Sequence, residues 1–235
     1  MGNTGNSRPF SRSVRLPVRT LKFAIFAVYF PLLKENVQMP RITLFDAQGN
    51  RKYLTPDERE KFYVATGAVT KDWRMFALML YATGCRLSEA LNVKIKDIDF
   101  NSKTVTIGTL KQRQSGIYRQ IPLSDDFLWA LDNSFDLRIR QKKNSKIKNG
   151  LIWDWSRRHG YQVIKKIMTE AGLEGSYAMP KGLRHAFAIA CIDKGIPLNM
   201  VQKWLGHSSI ETTAIYANAV GREERKLAAR LWERE

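Results

Sequence analysis

The stretch from Pro180 to Tyr216 constrains the fold more than any other part of the sequence. It reads PKGLRHAFAIACIDKGIPLNMVQKWLGHSSIETTAIY. Pro180 suits the first turn of a helix, where its missing N–H costs nothing. Gly195 can end that helix in the left-handed conformation, and Pro197 can open the next one. Ser209 is a favourable N-cap for a third. The pattern therefore predicts three short helices in succession, with Tyr216 on the last.

These helices carry more polar and charged groups than a core requires. Lys181 and Arg184 lie three residues apart, so both side chains point to one face of the first helix. The second helix runs to His207, and the third carries Tyr216. Cations, a histidine and a tyrosine held on rigid helices predict a site for a charged group, and the most economical such group is a phosphate.

The composition limits the class of protein. A chain of 235 residues that is 44% apolar can bury a proper core. Its formal net charge of +17 attracts polyanions, above all nucleic acid, with anionic membrane as the second choice. Basic ribosomal and regulatory proteins share such a charge. The two cysteines, Cys85 and Cys191, offer neither a disulfide framework nor a zinc pattern, which favours a reducing, intracellular compartment.

Residues 1–52 are expected to form a basic arm or linker. Five basic residues precede the apolar run Phe23–Phe30, which is shorter than the ~20 residues of a membrane span. No small-residue cleavage site follows it, so export and membrane anchoring are disfavoured. A docked arm and a mis-assigned start are both open interpretations.

Regular structure is expected from residue 53 onwards. Thr55–Glu58 reads TPDE, a capping box with proline at the first helical position. Apolar residues at helical spacing over Trp73–Tyr81 predict a second helix, which Gly84 ends. Arg86 follows in this break. It is either paired on the surface, with Glu89 as its partner three residues on, or functional.

Short β-type segments come next, over Ile95–Phe100, Thr104–Leu110 and Ile117–Leu123. Turn-like residues separate them, which predicts a three-stranded antiparallel meander. Lys111 lies at the mouth of the second hairpin. It can reach into a neighbouring cleft or serve as an ordinary edge-strand lysine.

The segments after the sheet are mostly helical. Ser124 is expected to cap one helix, and another spans residues 156–171. Trp153 and Trp155 are interpreted as core residues. A very basic segment lies between these helices, and it is either a solvated loop or a contact to phosphate backbone. Its six cations are Arg138, Arg140, Lys142, Lys143, Lys146 and Lys148.

The motifs, taken in order, resemble those of the tyrosine recombinases, also called the phage integrase family. The resemblance covers about 160 residues and includes the nine-residue step from His207 to Tyr216. The matching elements are Arg86 in ATGCRLSE, Lys111 in a hairpin ending RQIPL, Lys181 and Arg184 in KGLRH, His207 in LGH, and Tyr216. The resemblance implies an enzyme that cuts and rejoins DNA through a covalent 3′-phosphotyrosine. It also implies a mostly helical α+β catalytic domain with a small β-sheet, and no metal or nucleotide cofactor.

The resemblance also assigns roles. Arg86 and Arg184 would clamp the non-bridging oxygens of the phosphate, because arginine presents a planar fork of permanent donors. Tyr216 would be the nucleophile, and a cationic pocket is needed to favour its phenolate. Lys111 would protonate the 5′-oxygen as it leaves. His207 would donate a hydrogen bond to the phosphate.

Lys181 and His185, which flank Arg184 in the KGLRH motif, are interpreted separately. Lys181 stands where the family most often has histidine. We interpret Lys181 as an electrostatic contact, since an ammonium is a poor general base at neutral pH. His185 is interpreted as a hydrogen-bonded core histidine. The acids do not cluster as two Mg²⁺ ions would require, which disfavours a metal-dependent nuclease or transposase.

The architecture is expected to be a nearly bare catalytic domain at 53–220, similar in extent to the short invertases of fimbrial phase switches. Residues 1–52 are too few for a complete core-binding domain. Residues 221–235 are expected to form a helix, with Leu227 and Leu231 four apart, that protomers exchange. The expected partner is double-stranded DNA, bound by a homo-tetramer on synapsed sites and by a monomer or weak oligomer otherwise, with no membrane and no small-molecule substrate.

The sequence therefore predicts a site-specific DNA recombinase of the cytoplasm and nucleoid. One alternative is a nick-and-relax activity like that of type IB topoisomerases. The other is a DNA-binding regulator, or a truncated remnant of the family, without strand exchange. The target sequence and the outcome, whether integration, excision, inversion or resolution, are not encoded in any pattern recognised in the sequence.

Overall fold

The computed structural model describes residues 1–2, 43–109 and 116–217. The chain divides into a unit of residues 1–41 and a unit of residues 42–235, and everything below concerns the second. Its α-helices, in chain order, are α1 Pro56–Ala65, α2 Lys71–Thr83, α3 Leu87–Leu91, α4 Asp125–Phe135, α5 Leu137–Gln141, α6 Ser145–Lys148, α7 Arg157–Glu170, α8 Pro180–Asp193, α9 Leu198–Leu205 and α10 Glu211–Ala214. Its strands are β1 Ile98–Asp99, β2 Thr104–Gly108 and β3 Tyr118–Pro122. The expected class, mostly α with a small sheet, is confirmed.

Local signals set the helix boundaries. The capping box at α1 is complete, because the Thr55 side chain accepts from the Glu58 N–H and the Glu58 carboxylate accepts from the Thr55 N–H. Ser124 and Ser156 are simple N-caps of α4 and α7, since their hydroxyls accept from the Phe127 and His159 N–H groups. Gly84 ends α2 in the left-handed conformation at φ 59°. These four boundaries agree with the sequence prediction.

The sheet is the predicted antiparallel meander, in the order β1-β2-β3. Val105 of β2 pairs with Ile98 of β1 and with Ile121 of β3, and all three are buried. The first strand is shorter than predicted. Ile95–Asp97 forms a 3₁₀ turn because the Asp97 carboxylate accepts from the Lys94 N–H at 2.9 Å.

Two buried clusters form the interior of the described unit. The larger one packs α2, α4 and α7 against the sheet and includes Phe76 and Trp153, whose rings meet edge to face. Trp153 is buried within this cluster, as predicted, and Trp155 is partly buried and packs against it. The smaller cluster joins α8 and α9 and contains Phe187 and Tyr216.

Several expectations need correction or fall outside the described residues. Tyr216 does not lie on a helix, because α10 ends at Ala214. That helix begins one residue later than predicted, although the Ser209 hydroxyl does accept from the Glu211 N–H at 3.1 Å. The basic segment is not a loop: it forms α5 and α6. Lys111, the arm at residues 3–42 and the expected C-terminal helix lie outside the described residues.

No helix among the described residues is long and apolar enough to cross a bilayer.

The start of α8 depends on close backbone contact at Gly182. A Cβ atom at this position would lie 1.9 Å from the Tyr177 carbonyl oxygen. We expect Gly182→Ala to destabilise the protein by about 1–3 kcal/mol through overpacking, and to displace Lys181 and Arg184. Urea unfolding measures this change. Gly67→Ala is the control, since a Cβ there meets nothing within 4 Å, and an equal loss in both variants would contradict the prediction.

Candidate active site

One cleft, of about 770 Å³, collects most of the residues singled out in the sequence. Arg86, Lys181, Arg184, His207 and Tyr216 all line it. They come from the turn before α3, from α8, and from the turns that follow α9 and α10. Lys111 lies outside the described residues. The structure thus brings together five of the six predicted site residues.

Arg86 is held by the carboxylate that the sequence suggested. Its guanidinium donates to Glu89 Oε1 at 2.7 Å, and its backbone N–H donates to Glu89 Oε2 at 2.9 Å. Glu89 is fully buried, whereas Arg86 keeps part of its side chain exposed to the cleft. The two alternatives for Arg86 are therefore compatible: it is paired with Glu89, and it faces the cleft.

Arg119 is a site residue that the sequence analysis missed. This buried arginine of β3 donates to Glu89 Oε2 at 2.6 Å. It also donates through Nε to the Trp204 carbonyl at 2.7 Å and through a terminal nitrogen to the Thr109 hydroxyl at 3.0 Å. Arg119 therefore connects the carboxylate behind Arg86 with the end of α9, which leads into His207.

The Glu89 carboxylate is ionised between these two arginines. Burial raises the pKa of Glu89, but the charge and hydrogen bond of Arg119 and the bonds from Arg86 outweigh that effect and leave the pKa below its ordinary value. This one negative charge fixes the positions of two cations, Arg86 and Arg119.

Arg184 lies at the centre of the site. It is 7% exposed, and its guanidinium donates to the Gly84 carbonyl and to the Leu205 carbonyl, each at 2.8 Å. These carbonyls lie just before Arg86 and just before His207. Burial and the nearby Arg86 lower the pKa of Arg184 to about 10, so it remains a cation at neutral pH. Its remaining N–H groups are available to an anion.

His207 is oriented by a neighbouring hydroxyl. Its Nδ1 lies 3.0 Å from Thr213 Oγ1, and this contact leaves Nε2 for another partner. Burial, followed by the charges of Arg184 and Arg86, lowers the pKa of His207 to about 3. The ring is therefore neutral at pH 7, and a neutral imidazole can donate one hydrogen bond from the nitrogen that carries its proton.

Tyr216 is buried beside two histidines. Its side chain is 1% exposed, its hydroxyl lies 2.8 Å from His185 Nδ1, and its ring stacks on His207 at 6.4 Å between centroids. Burial raises the pKa of Tyr216 to about 12, although Arg184 and Arg86 act in the opposite direction. His185 is buried and hydrogen-bonded, as predicted. The prediction did not identify Tyr216 as its partner.

The cleft suits an anion with tetrahedral oxygens. Its cations include the exposed Lys181 and Arg157, together with Arg86 and Arg184. Across the described ranges, no three His, Cys, Asp or Glu side chains are grouped so that they could hold a metal ion. The groups described here can bind a phosphate, stabilise additional negative charge on it, and present a phenol to it.

The neutral histidines make stability depend on pH. Burial, then Lys181, Arg184 and Lys52, lowers the pKa of His185 to about 4, below the ordinary 6.5. Between pH 6.5 and 4 the unfolded chain therefore binds a proton at His185 that the folded protein does not bind. The contribution of neutral His185 to the free energy of unfolding is complete above pH 6.5 and is lost as pH falls towards 4. Between pH 7 and 5 we expect a loss of about 1–2 kcal/mol from His185. Urea unfolding at both values, with His185→Gln alongside, measures it, and an equal loss in the variant would contradict the assignment.

Comparison with known proteins gives consistent matches. The model of the phage integrase family matches residues 52–222. The tyrosine recombinase XerA of Pyrococcus furiosus is 27% identical over 229 residues, which cover 93% of this chain and 74% of the relative. The tyrosine recombinase XerD of Mycobacterium tuberculosis is 32% identical over 156 residues, or 64% of this chain and 49% of the relative.

Two solved structures show the same fold. A crystal structure of XerA recombinase superimposes with a TM-score of 0.63 at 22% identity, over 94% of this chain and 78% of the other. A post-cleavage complex of the site-specific recombinase XerH, bound to its palindromic difH substrate, gives a TM-score of 0.63 at 25% identity, over 84% of this chain and 59% of the other.

Proposed function

The chain belongs to the phage integrase family of tyrosine recombinases, and we propose that it carries out site-specific recombination by cutting and rejoining DNA through a covalent 3′-phosphotyrosine at Tyr216. The observation that carries the proposal is the convergence of Arg86, Arg184, His207 and Tyr216 on one cleft. These four residues are far apart in the chain: Arg86 and Tyr216 are separated by 130 positions.

The proposed reaction begins with a DNA phosphate in the cleft. Arg86 and Arg184 contact its non-bridging oxygens, and His207 donates through Nε2. The Tyr216 oxygen attacks phosphorus, so the Oη–P bond forms while the bond to the 5′-oxygen breaks. The phenolic proton leaves Tyr216, and the 5′-oxygen gains a proton, for which Lys111 is the proposed donor. Because the phosphodiester is exchanged and not hydrolysed, rejoining needs no nucleotide.

Electrostatics support catalysis by this arrangement. Negative charge on the phosphate grows as the pentacoordinate state forms, and guanidinium groups already in position stabilise that growth. Arg184 is held by two carbonyls and Arg86 by Glu89, so neither has to reorganise when the reaction begins. Lys181 adds charge at the rim of the cleft as an electrostatic contact.

Double-stranded DNA is the proposed partner. The net charge of +17 favours it, and the cations of α5 and α6 are candidates for contacts to the phosphate backbone. Among the similar structures, XerH is bound to its difH substrate. We further propose assembly into a tetramer on two synapsed sites, with residues 53–220 as the catalytic domain and residues 221–235 as the exchanged helix.

A plasmid assay tests the function and separates its alternatives. A supercoiled plasmid carrying two copies of the DNA that flanks the gene is incubated with the protein, and the products are resolved by gel and junction sequencing. Recombinant junctions support site-specific recombination. Relaxed circles without junctions would instead indicate a nick-and-relax enzyme. DNA binding with neither product would support a regulator or remnant.

A further inference from the structure

His185 is the buried imidazole that the proposed reaction leaves without a role. Its Nδ1 lies 2.8 Å from the Tyr216 hydroxyl, and both side chains line the cleft. Its Nε2 is buried and has no hydrogen-bond partner among the described residues. The Tyr216 contact is thus the one hydrogen bond that the structure gives this ring within the described ranges.

The other described candidates for accepting the phenolic proton are worse placed. Lys181 stands where the family most often has histidine, but it is an exposed ammonium, which has no lone pair to offer. His207 has its Nδ1 against Thr213, and its other nitrogen is assigned to the phosphate. Glu89 is fully occupied by Arg86 and Arg119.

We propose that His185 is the general base for Tyr216: its Nδ1 accepts the phenolic proton as the Oη–P bond forms, and it returns that proton when the 5′-hydroxyl attacks and Tyr216 leaves. This inference rests on the proposed function. In the tautomer it needs, Nε2 carries the ring's own proton and Nδ1 has the lone pair. The proton count balances, since the proton lost by the phenol in cleavage is regained in rejoining.

Before DNA binds, burial and the neighbouring cations hold the His185 ring neutral, so its lone pair is free to accept a proton. The charged and titratable groups facing it are Lys181 and Arg184 on its own helix, Lys52 from the segment before α1, and Tyr216 and His207. No described carboxylate is among them, so the imidazolium is not trapped by an acid. A bound DNA phosphate adds negative charge to this cationic surrounding, which favours protonation of His185 at the moment of attack.

The test is single-turnover cleavage of a nicked suicide duplex by His185→Gln. Glutamine is polar and similar in length to histidine, but it cannot take the phenolic proton. We expect a rate about 10²–10⁴-fold lower, with DNA affinity unchanged. We also expect the rate of the variant to rise with pH more steeply than that of the wild type, because hydroxide must replace the missing base. His159→Gln is the matched control, since this histidine packs on Trp155 away from the cleft.

A second measurement separates proton transfer from simple positioning. Fluorinated tyrosine at position 216 ionises more readily, so it should recover much of the rate lost in His185→Gln. His185→Asn places an amide at the position of Nδ1 and cannot take the proton, so it should lose rate as His185→Gln does. The unfolding midpoint of each variant checks that the fold is intact. Loss of rate without this recovery would reduce His185 to a positioning residue and overturn the proposal.

The remaining outcomes are equally distinct. Unchanged or faster cleavage by His185→Gln would also overturn the proposal. A faster rate would mean that the hydrogen bond from His185 makes the Tyr216 hydroxyl less reactive. If the wild type forms no adduct at Tyr216, the proposed function itself fails, together with this inference. If the wild type forms the adduct and the variant cleaves normally, only the inference fails.

Discussion

Arg184→Ala is expected to lower the rate of DNA cleavage by about 10²–10³-fold while leaving most DNA binding intact. The guanidinium is the most deeply buried of the described cations that line the cleft, and we expect it to stabilise charge that develops on the phosphate during attack. Affinity should change less, because the exposed cations around the cleft and along α5 and α6 remain. Single-turnover cleavage and a binding titration, both at fixed salt, give the two numbers.

The structure adds a second effect of this substitution. Alanine leaves the Gly84 and Leu205 carbonyls without their buried donor, which costs about 1–3 kcal/mol for each such group. Unfolding must therefore be measured beside cleavage. Arg158→Ala removes an exposed arginine outside the cleft and serves as the control. A cleavage rate for Arg184→Ala equal to that of this control would remove Arg184 from the site.

Glu89→Ala is expected to be the most destabilising change in the ion-pair network. It leaves Arg119, whose side chain is 4% exposed, as an unpaired buried charge. Breaking one side of such a pair costs about 3–5 kcal/mol. Cleavage should also slow, because Arg86 loses the carboxylate that orients it. The free energy of unfolding by urea measures the first effect, and single-turnover cleavage the second.

A double-mutant cycle tests whether the cost comes from the stranded charge. Adding Arg119→Met to Glu89→Ala removes that charge, so the double variant should be more stable than the sum of the two single changes predicts. Lys103→Asn breaks the exposed pair with Asp125 and should cost at most about 1 kcal/mol. If the changes in unfolding free energy of Glu89→Ala and Arg119→Met simply add, the stranded charge does not explain the loss of stability. The same conclusion would follow if Lys103→Asn destabilised the protein as much as Glu89→Ala.

Much of the fold was predictable because its signals are local. The capping box at Thr55 and the left-handed Gly84 involve residues within one or two helical turns, so the sequence displays them directly. The pairing of Arg86 with Glu89 was foreseen for the same reason, since the two lie three residues apart. The shortened first strand also depends on a local contact, since the Asp97 carboxylate accepts from the Lys94 N–H three residues earlier. Lysine is not a typical N-cap residue, however, so the sequence carries no clear signal of this contact.

The missed contacts join residues that are distant in the chain. Arg119 meets Glu89 across 30 residues and the Trp204 carbonyl across 85. His185 meets the Tyr216 hydroxyl across 31 residues. Such contacts depend on how α8, α9 and β3 pack, which hydrophobic periodicity does not specify. One signal for Arg119 was available in the sequence. Arg119 begins RQIPL and stands at a position of the strand where alternation predicts a buried side chain, and a buried arginine needs a partner.

The position of Tyr216 illustrates how the sequence and the structure differ in what they show. Its spacing from His207 identified it as a candidate nucleophile, yet the helix expected to carry it ends at Ala214. A turn residue can still be held firmly when its ring is buried, and here His185 and His207 flank that ring. The sequence therefore predicted the residue, and packing determines its geometry.

The most direct test of the central claim is a search for a covalent adduct at Tyr216. Nicked suicide duplexes drawn from the DNA flanking the gene are incubated with the wild type and with Tyr216→Phe, and the products are run on a denaturing gel. Our account predicts a protein–DNA adduct that forms with the wild type and is absent with the phenylalanine variant, with the linked peptide containing Tyr216. An adduct that survives in Tyr216→Phe would contradict it and move the nucleophile to another residue.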